Sequence, residues 1–139
     1  MANWCLNKIL ISGPREDVSI LYKSLKEYKA EIMSKEKETE TGMNPSNIGT
    51  WIKAKFSDKL PTFTEKDYEL SYRNFFDHYS YSEEDEDTKE AHLDIFTHSA
   101  WNSRMYALVK LIEVGFPKCI INYRSEELCT NYYNNTNIS

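Results

Sequence analysis

The sequence predicts a single α+β domain in which two helices cover one face of an antiparallel sheet. A length of 139 residues is typical of one domain that buries a core without disulfides. Hydrophobic residues make up 40% of the chain and charged residues 28%, an ordinary globular composition, whereas 14% aromatic residues is high. Segments with β-type alternation and segments with helical spacing follow one another in the order β, α, β, β, α, β.

The first strand and the first helix are predicted between residues 4 and 28. The apolar run Ile9-Leu10-Ile11 ends in Ser12-Gly13-Pro14, which indicates a strand closed by a turn. Pro14 suits the first turn of a helix. Apolar residues then recur at helical spacing, at Val18, Leu21, Tyr22, Leu25 and Tyr28.

Residues 30 to 61 lose both patterns and are predicted to be an insertion after the first helix. Within it, Trp51 and Phe56 lie either on a short helix after Ser46 or over an open edge of the sheet. The spacing of so few apolar residues does not distinguish these two alternatives.

The second strand is predicted from Tyr68, Leu70 and Tyr72, which alternate with polar residues before Phe75-Phe76. The preceding Thr62-Phe63-Thr64-Glu65 also resembles a helix-capping box. A third strand is predicted from the alternation of Leu93, Ile95 and Thr97, ending at Ser99.

The second helix is predicted from residues at positions i, i+4, i+7 and i+11, with Gly115 and Pro117 as stop signals. These apolar positions are Trp101, Met105, Leu108 and Ile112. Residues 119 to 123 form the last predicted strand, and residues 130 to 139 a frayed polar tail. The complete order is the split βαβ arrangement of ferredoxin-like domains, with a four-stranded antiparallel sheet.

The N-terminus lacks a basic segment followed by an apolar one, so the sequence predicts a cytoplasmic protein without a secretory signal. The apolar stretches are too short to cross a bilayer. Cys5, Cys119 and Cys129 include no CxxC pair, which argues against a disulfide framework and against a cysteine-rich zinc site. No cofactor is expected.

The net charge of −5 is concentrated in the middle of the chain. Residues 61 to 94 contain 3 basic and 11 acidic groups, whereas residues 1 to 60 contain 10 and 8. Tight binding of nucleic acid depends on neutralising phosphates with Lys and Arg, and no stripe of these residues stands out. The composition therefore argues against direct nucleic-acid binding.

An acidic run between the second and third strands is the first candidate site, and its carboxylates are Glu83, Glu84, Asp85, Glu86 and Asp87. It is either a solvated hairpin loop or a negatively charged surface that docks on a basic partner, with Tyr79 and Tyr81 as contacts. A calcium site is a third alternative, but the spacing of an EF-hand is absent.

Three histidines form a second candidate site. They could converge with Asp77 and Asp94 if the second and third strands pair, giving ligands for a transition metal or a general base with its orienting carboxylate. His78, His92 and Asp94 are the candidate ligands, whereas His98 lies near the start of the second helix. The simpler interpretation is that all three histidines are structural or lie on the surface. The chain lacks phosphate-binding glycine loops and the GxSxG and HExxH motifs, so nucleophilic catalysis has no evident residues.

Aromatic residues on the predicted sheet could stack nucleic-acid bases or anchor a protein partner. Tyrosines concentrate after residue 68, and Phe75 and Phe76 accompany them. Base stacking is the function of such rings in RNA-recognition domains, but the RNP consensus is absent. Because Tyr and Trp are also enriched at protein-binding hot spots, protein binding is favoured.

Two segments, one at each end of the predicted domain, contain distinctive motifs. The first is Asn3-Trp4-Cys5-Leu6-Asn7 followed by Ile9-Leu10-Ile11-Ser12-Gly13. The second runs from Leu93 to Trp101 and continues with Phe116-Pro117, Tyr123 and Glu126. In these segments the chain resembles the YubB ferredoxin-like family of phage and plasmid proteins. The resemblance implies a ferredoxin-like fold and a mobile-element setting, without an established reaction or cofactor.

These observations predict a non-enzymatic accessory protein of a phage or mobile element that binds another protein. The expected partner is a nucleic-acid-binding host-defence protein, such as a CRISPR nuclease, which an acidic, nucleic-acid-mimicking surface would inhibit. The alternative is a metal-dependent nuclease or an RNA-binding domain that uses the histidines and aromatic rings. A homodimer formed through the sheet is a third possibility.

Overall fold

A computed structural model describes residues 4–35, 46–84, 87–127 and 132–136. The main elements are, in chain order, β1 (Trp4–Pro14), α1 (Arg15–Lys35), α2 (Ile48–Phe56), α3 (Glu65–Glu69), β2 (Asn74–Glu83), β3 (Glu90–Ala100), α4 (Tyr106–Lys110), β4 (Ile120–Glu127) and β5 (Tyr132–Thr136). A 3-10 turn, Ser57–Lys59, follows α2, and a π-helical turn, Leu111–Gly115, continues α4.

The strands form one antiparallel sheet in the order β2-β3-β1-β4-β5. The first four strands have the ferredoxin-like order, because each helical crossover passes over one intervening strand. The predicted fold class is therefore confirmed. The short strand β5 extends the sheet beside β4, in a polar segment whose sequence has no apolar alternation that would predict a strand.

The core lies between the helices and one face of the sheet. In β1 and β3, alternate residues such as Ile9, Ile11, Leu93 and Ile95 are fully buried. The residues between them point to the opposite face, which we call the open face. Helix α1 packs its own apolar stripe against this core, and its acidic first turn complements the positive end of the helix dipole.

The insertion after α1 combines the two alternatives that the sequence left open. Helix α2 buries Trp51, whose indole Nε1 donates to the Ser24 hydroxyl on α1 at 3.1 Å. Immediately before α2, Asn47 forms a β-bridge with Phe75, and the Phe76 backbone N–H donates to the Ser46 carbonyl at 3.0 Å. The insertion therefore supplies a helix to the core and also covers the start of the β2 edge. Residues 36–45 lie outside the described residues.

The predicted second strand is wrong between Tyr68 and Tyr72, because this segment begins in α3 and continues as a turn. The Asp67 carboxylate accepts a hydrogen bond from the Thr64 backbone N–H at 2.7 Å, so the capping box nucleates a helix. Tyr68 is buried and Leu70 is 50% exposed, so the alternation does not mark a sheet face. Strand β2 starts at Asn74 and contains a bulge between Phe76 and His78.

The predicted second helix is confirmed at its centre but starts later than expected. Met105, Leu108 and Ile112 are buried, as the helical spacing predicted. Trp101, by contrast, precedes α4 in a loop and is 51% exposed. No helix among the described residues is long and apolar enough to span a membrane. Cys5 and Cys119 are buried, and Cys129 lies outside the described residues.

Two glycine substitutions test the packing of α2. A Cβ at Gly49 would lie 2.5 Å from the Tyr68 carbonyl oxygen, whereas a Cβ at Gly115 would meet the flexible Lys59 side chain at 3.0 Å. We expect Gly49→Ala to lower the free energy of unfolding by about 1–3 kcal/mol, despite the better helix propensity of alanine. Gly115→Ala is the control and should change it by about 0.5 kcal/mol or less. Urea denaturation measures both values, and equal stabilities would contradict this close packing.

Candidate functional site

The acidic run forms the hairpin between β2 and β3. Asp85 and Glu86 lie outside the described residues, and Asp87 is exposed. Glu83 lies 3.6 Å from the Arg15 guanidinium, measured from Oε2 to Nε. The Glu84 carboxylate contacts His92 Nε2 at 2.6 Å. Two of the five predicted partner-binding carboxylates therefore already have partners within the chain.

The rings of Tyr79 and Tyr81 lie on the helix side of β2, half-buried against α1. The Tyr81 ring stacks on Tyr22 with centroids 4.4 Å apart and planes 7° apart, and Tyr79 lies 6.0 Å from the same ring. Burial and the 2.9 Å hydrogen bond from the Tyr81 hydroxyl to Glu83 raise the pKa of Tyr81. These rings join the hairpin to α1 and are only partly exposed, so they do not project from the surface as a partner-binding site on the hairpin would require.

The predicted histidine site is spread along the open face. His78 is opposite Phe96 and stacks on it at 4.2 Å. Asp94 is opposite Ser80, one row further along the sheet, and His92 occupies the row after that. The structure therefore places these predicted ligands on one face, but in three successive rows.

Two carboxylates from the hairpin lie close to His92. Within the described ranges, Glu84, Glu90 and His92 have potential ligand atoms that all lie within 4.8 Å of one another. Sequence reasoning missed this group because it depends on the register of the hairpin, where the Glu84 N–H donates to the Glu90 carbonyl at 3.0 Å. At the other end of the strands, His98 Nδ1 lies 2.7 Å from the Asp77 carboxylate.

The open face combines apolar and charged side chains. Leu6, Leu10 and Ile120 are 43%, 39% and 52% exposed on it. The Lys8 ammonium lies 5.8 Å from the centre of the Phe96 ring, a cation–π distance. The open face is therefore a mixed surface on which exposed apolar side chains lie among charged ones.

Trp101 is displayed by the loop between β3 and α4, residues 100–105, which we call the Trp101 loop. Trp101 has φ 73° and Arg104 has φ 49°, so both adopt the left-handed conformation. For a residue with a Cβ this conformation costs about 1–2 kcal/mol. A bulky tryptophan that is 51% exposed in this conformation contributes little to the core, and it points to a role at the surface.

Hydrogen bonds hold the Trp101 loop in this conformation. The Ala100 carbonyl accepts from the Asn102 N–H at 2.9 Å and from Arg104 Nε at 2.6 Å. The Arg104 N–H donates to Asn102 Oδ1 at 3.0 Å. Buried Asn74 on β2 donates through Nδ2 to the carbonyls of Ser103 and Arg104, at 3.1 and 3.2 Å. The loop is therefore preorganised.

A buried polar network connects this loop to the centre of the sheet. The Ser99 hydroxyl donates to the Asn102 carbonyl and accepts from Asn7 Nδ2 at 2.9 Å. The same Asn7 amide donates to the Thr97 hydroxyl at 3.1 Å and accepts from the Ser125 hydroxyl. Asn7 is only 3% exposed, and these contacts join β1, β3 and β4.

Further aromatic rings lie on the open face next to the loop. The Trp4 ring lies 6.1 Å from Phe75 and 5.3 Å from His98, and Trp4 pairs with Ala100, the residue before Trp101. We call Trp4, Phe75, His98 and Trp101 the aromatic edge. Sequence reasoning assigned Trp101 to the core; the polar residues Asn102 and Ser103 directly after it were the available signal of a loop.

Comparison of the sequence and structure with protein-family models, curated proteins and solved structures finds no significant match. The resemblance to the YubB family therefore stays a prediction.

Substitution of Trp101 tests whether its ring contributes to the stability of the fold. Trp101→Gly removes the ring and relieves the left-handed strain, so we expect a stability equal to the wild type or higher by about 1–2 kcal/mol. Trp101→Ala keeps the Cβ and should be less stable than Trp101→Gly. Thermal and urea unfolding measure both differences. A loss of stability in Trp101→Gly would show that the ring packs on the fold.

Proposed function

We propose that the chain is a non-enzymatic, cytoplasmic protein-binding module that contacts its partner through the aromatic edge. The observation that carries this proposal is Trp101, an exposed tryptophan held in a strained conformation by a hydrogen-bonded loop. Binding is stronger when the contacting group is already ordered, because less conformational entropy is lost. A rigidly displayed tryptophan fits this requirement.

The composition around Trp101 supports a protein partner. Hot spots of protein interfaces are enriched in Trp, Tyr and Arg. Arg104 belongs to the Trp101 loop, the Arg73 carbonyl accepts from the Ala100 N–H at 3.0 Å, and Tyr106 is exposed at the start of α4. Each large aromatic ring that becomes buried removes about 150–250 Å² from water. Because Trp101 is 51% exposed and Trp4, Phe75 and His98 are partly buried already, the aromatic edge would supply the centre of an interface, and neighbouring residues the rest of the roughly 800 Å² per partner.

The acidic hairpin contributes charge at the opposite end of the β2–β3 pair. Glu84, Asp87 and Glu90 are exposed there, although Arg15 offsets part of the charge through its contact with Glu83. A partner with a basic surface, such as a nucleic-acid-binding protein, would be attracted to this end and its association would be faster. Within this proposal, the resemblance to the YubB family favours a host-defence protein as the partner.

Capture from a lysate of the encoding organism, after nuclease treatment, tests the aromatic edge. Wild type and a control variant, Met33→Ala on the exposed surface of α1, should retain the same protein. Trp101→Gly should weaken its binding by about thirtyfold, which corresponds to the roughly 2 kcal/mol of a hot-spot residue. The captured protein is then purified, and its affinity for each variant is measured by calorimetry.

The proposal fails if no captured protein distinguishes Trp101→Gly from Met33→Ala. Capture of nucleic acid in a sample without nuclease treatment, lost on Phe96→Ala, would favour the RNA-binding alternative. A doubled mass in solution that Trp101→Gly halves would instead identify a second copy of the chain as the partner.

Charge reversal tests the hairpin separately, with the purified partner. Asp85→Lys/Asp87→Lys should slow association about tenfold at low ionic strength and have little effect at high salt, because exposed charges are screened. Asp58→Lys/Glu69→Lys makes the same change of net charge elsewhere on the surface and is the control. Stopped-flow measurements at two salt concentrations give the rates. Equal rates for the two variants would remove the hairpin from the proposal.

A further inference from the structure

A cleft of about 920 Å³ lies between the first turns of α1 and the β2–β3 hairpin. This volume is within the range of small-molecule sites, about 300–1,000 Å³. Its walls come from Arg15 to Lys23 on one side and from Tyr81, Glu83 and Lys89 on the other. The cleft is therefore a concave surface separate from the aromatic edge.

One wall of the cleft is aromatic. The stacked rings of Tyr22 and Tyr81 are both half-buried, and both line the cleft. Beyond them along α1, the Lys26 ammonium lies 5.9 Å from the Tyr22 ring centre and the Lys29 ammonium 5.2 Å from that of Tyr79. Tyrosine rings of this kind provide a surface on which a flat aromatic ligand stacks.

The other feature of the cleft is positive charge. Arg15 is fixed, because its Nη2 donates to the Glu84 carbonyl at 3.0 Å and its Nε faces the Glu83 carboxylate. Lys23 and Lys89 line the cleft and are exposed, and in the described part of the chain neither forms an ion pair. Two lysines therefore remain available for an anionic group.

Two of the acidic residues of α1 point toward α2 and away from the cleft. Glu27 and Glu31 contact the Lys55 ammonium of α2 at 3.1 and 2.8 Å. The cleft and its extension along α1 thus carry five cations and two carboxylates, a charge of 5 − 2 = +3. These residues are Arg15, Lys23, Lys26, Lys29 and Lys89 with Glu16 and Glu83.

This arrangement was not visible in the sequence, which argued against direct nucleic-acid binding because no basic stripe stands out. The fold assembles a basic region from the lysines of α1 and from Lys89 near the tip of the hairpin. Because Asp87 lies only two residues before Lys89, the positive region ends at the hairpin tip. A short ligand suits such a site better than a duplex does.

We propose that this cleft binds nucleotides, with the base against Tyr22 and Tyr81 and the phosphate between Lys23 and Lys89. The same chemistry is offered by a free mononucleotide and by a segment of single-stranded nucleic acid. Both require an aromatic surface for the base and cations for the phosphate.

Two binding experiments with the full chain distinguish these sources. Fluorescence anisotropy with a labelled single-stranded oligonucleotide reports the polymer, and calorimetry with a panel of nucleoside monophosphates reports the free ligand. Binding of the oligonucleotide alone identifies a polymer site, and comparable binding of a monophosphate identifies a mononucleotide site. Either result supports the proposal, and absence of both overturns it.

Substitutions of residues that line the cleft test whether the ligand binds there. Lys23→Ala/Lys89→Gly removes the two available cations, and glycine at position 89 accommodates the φ of 52°. For an oligonucleotide we expect a loss of affinity of about tenfold or more and a salt dependence shallower by about 0.7, since the two lysines hold one phosphate and each single-strand phosphate contact contributes about 0.7. Tyr22→Leu should weaken binding without changing the salt dependence.

Lys66→Ala/Lys118→Ala is the matched control, because it removes the same charge from exposed positions outside the cleft. It should bind like the wild type. If both lysine pairs reduce affinity equally, the attraction is non-specific and the cleft is not a nucleotide site. The same conclusion follows if Phe96→Ala on the open face abolishes binding while Lys23→Ala/Lys89→Gly does not.

Discussion

The Asn7 amide is the interaction on which the arrangement of the sheet and of the candidate site both depend. It lies in the central strand, with neighbours on β3 and β4, and the Ser99 hydroxyl carries its hydrogen-bond network to the Trp101 loop. A satisfied buried hydrogen bond stabilises a protein by about 1 kcal/mol, but an unsatisfied buried group costs about 1–3 kcal/mol. The network is therefore more important for holding one register and one loop conformation than for total stability.

This network explains how a strained loop persists. The left-handed conformations of Trp101 and Arg104 are unfavourable in isolation, and the contacts from Asn74 and Ser99 over-determine the backbone around them. In this loop conformation the Ser99 hydroxyl and the Asn74 Nδ2 group both donate to carbonyls of the loop backbone. The buried hydrogen bonds of the sheet therefore also hold the backbone of Trp101 in the conformation that exposes its side chain.

Most of the fold could be predicted from the sequence because its strands and helices follow simple periodicities. The alternation of β3, the helical spacing of α1 and the acidic hairpin were all recognised from local patterns. The errors occurred where a local hydrogen bond or a strained backbone outweighed that pattern. At Tyr68 the capping box at Thr64 nucleated a helix, and at Trp101 an apparent helical position belonged to a loop.

The candidate sites were less predictable because they join distant parts of the chain. The acidic run was evident as a run, but its contacts with Arg15 and His92 depend on the register of the hairpin. Likewise, Lys23 and Lys89 belong to one cleft only after α1 has packed beside β2. Spacing along a sequence does not contain this information, whereas a strand register and a helix position do.

The bulge between Phe76 and His78 affects how the molecule behaves at high concentration. Strand β2 is an edge of the sheet, and only its first residues are bridged by Asn47 in the part of the chain that the structure describes. A regular edge would offer unpaired backbone groups to another molecule and promote aggregation. The bulge interrupts the regular backbone pattern at Asp77, and the exposed Glu83 places a charge near the far end. Strand β2 therefore has built-in protection against edge-to-edge association.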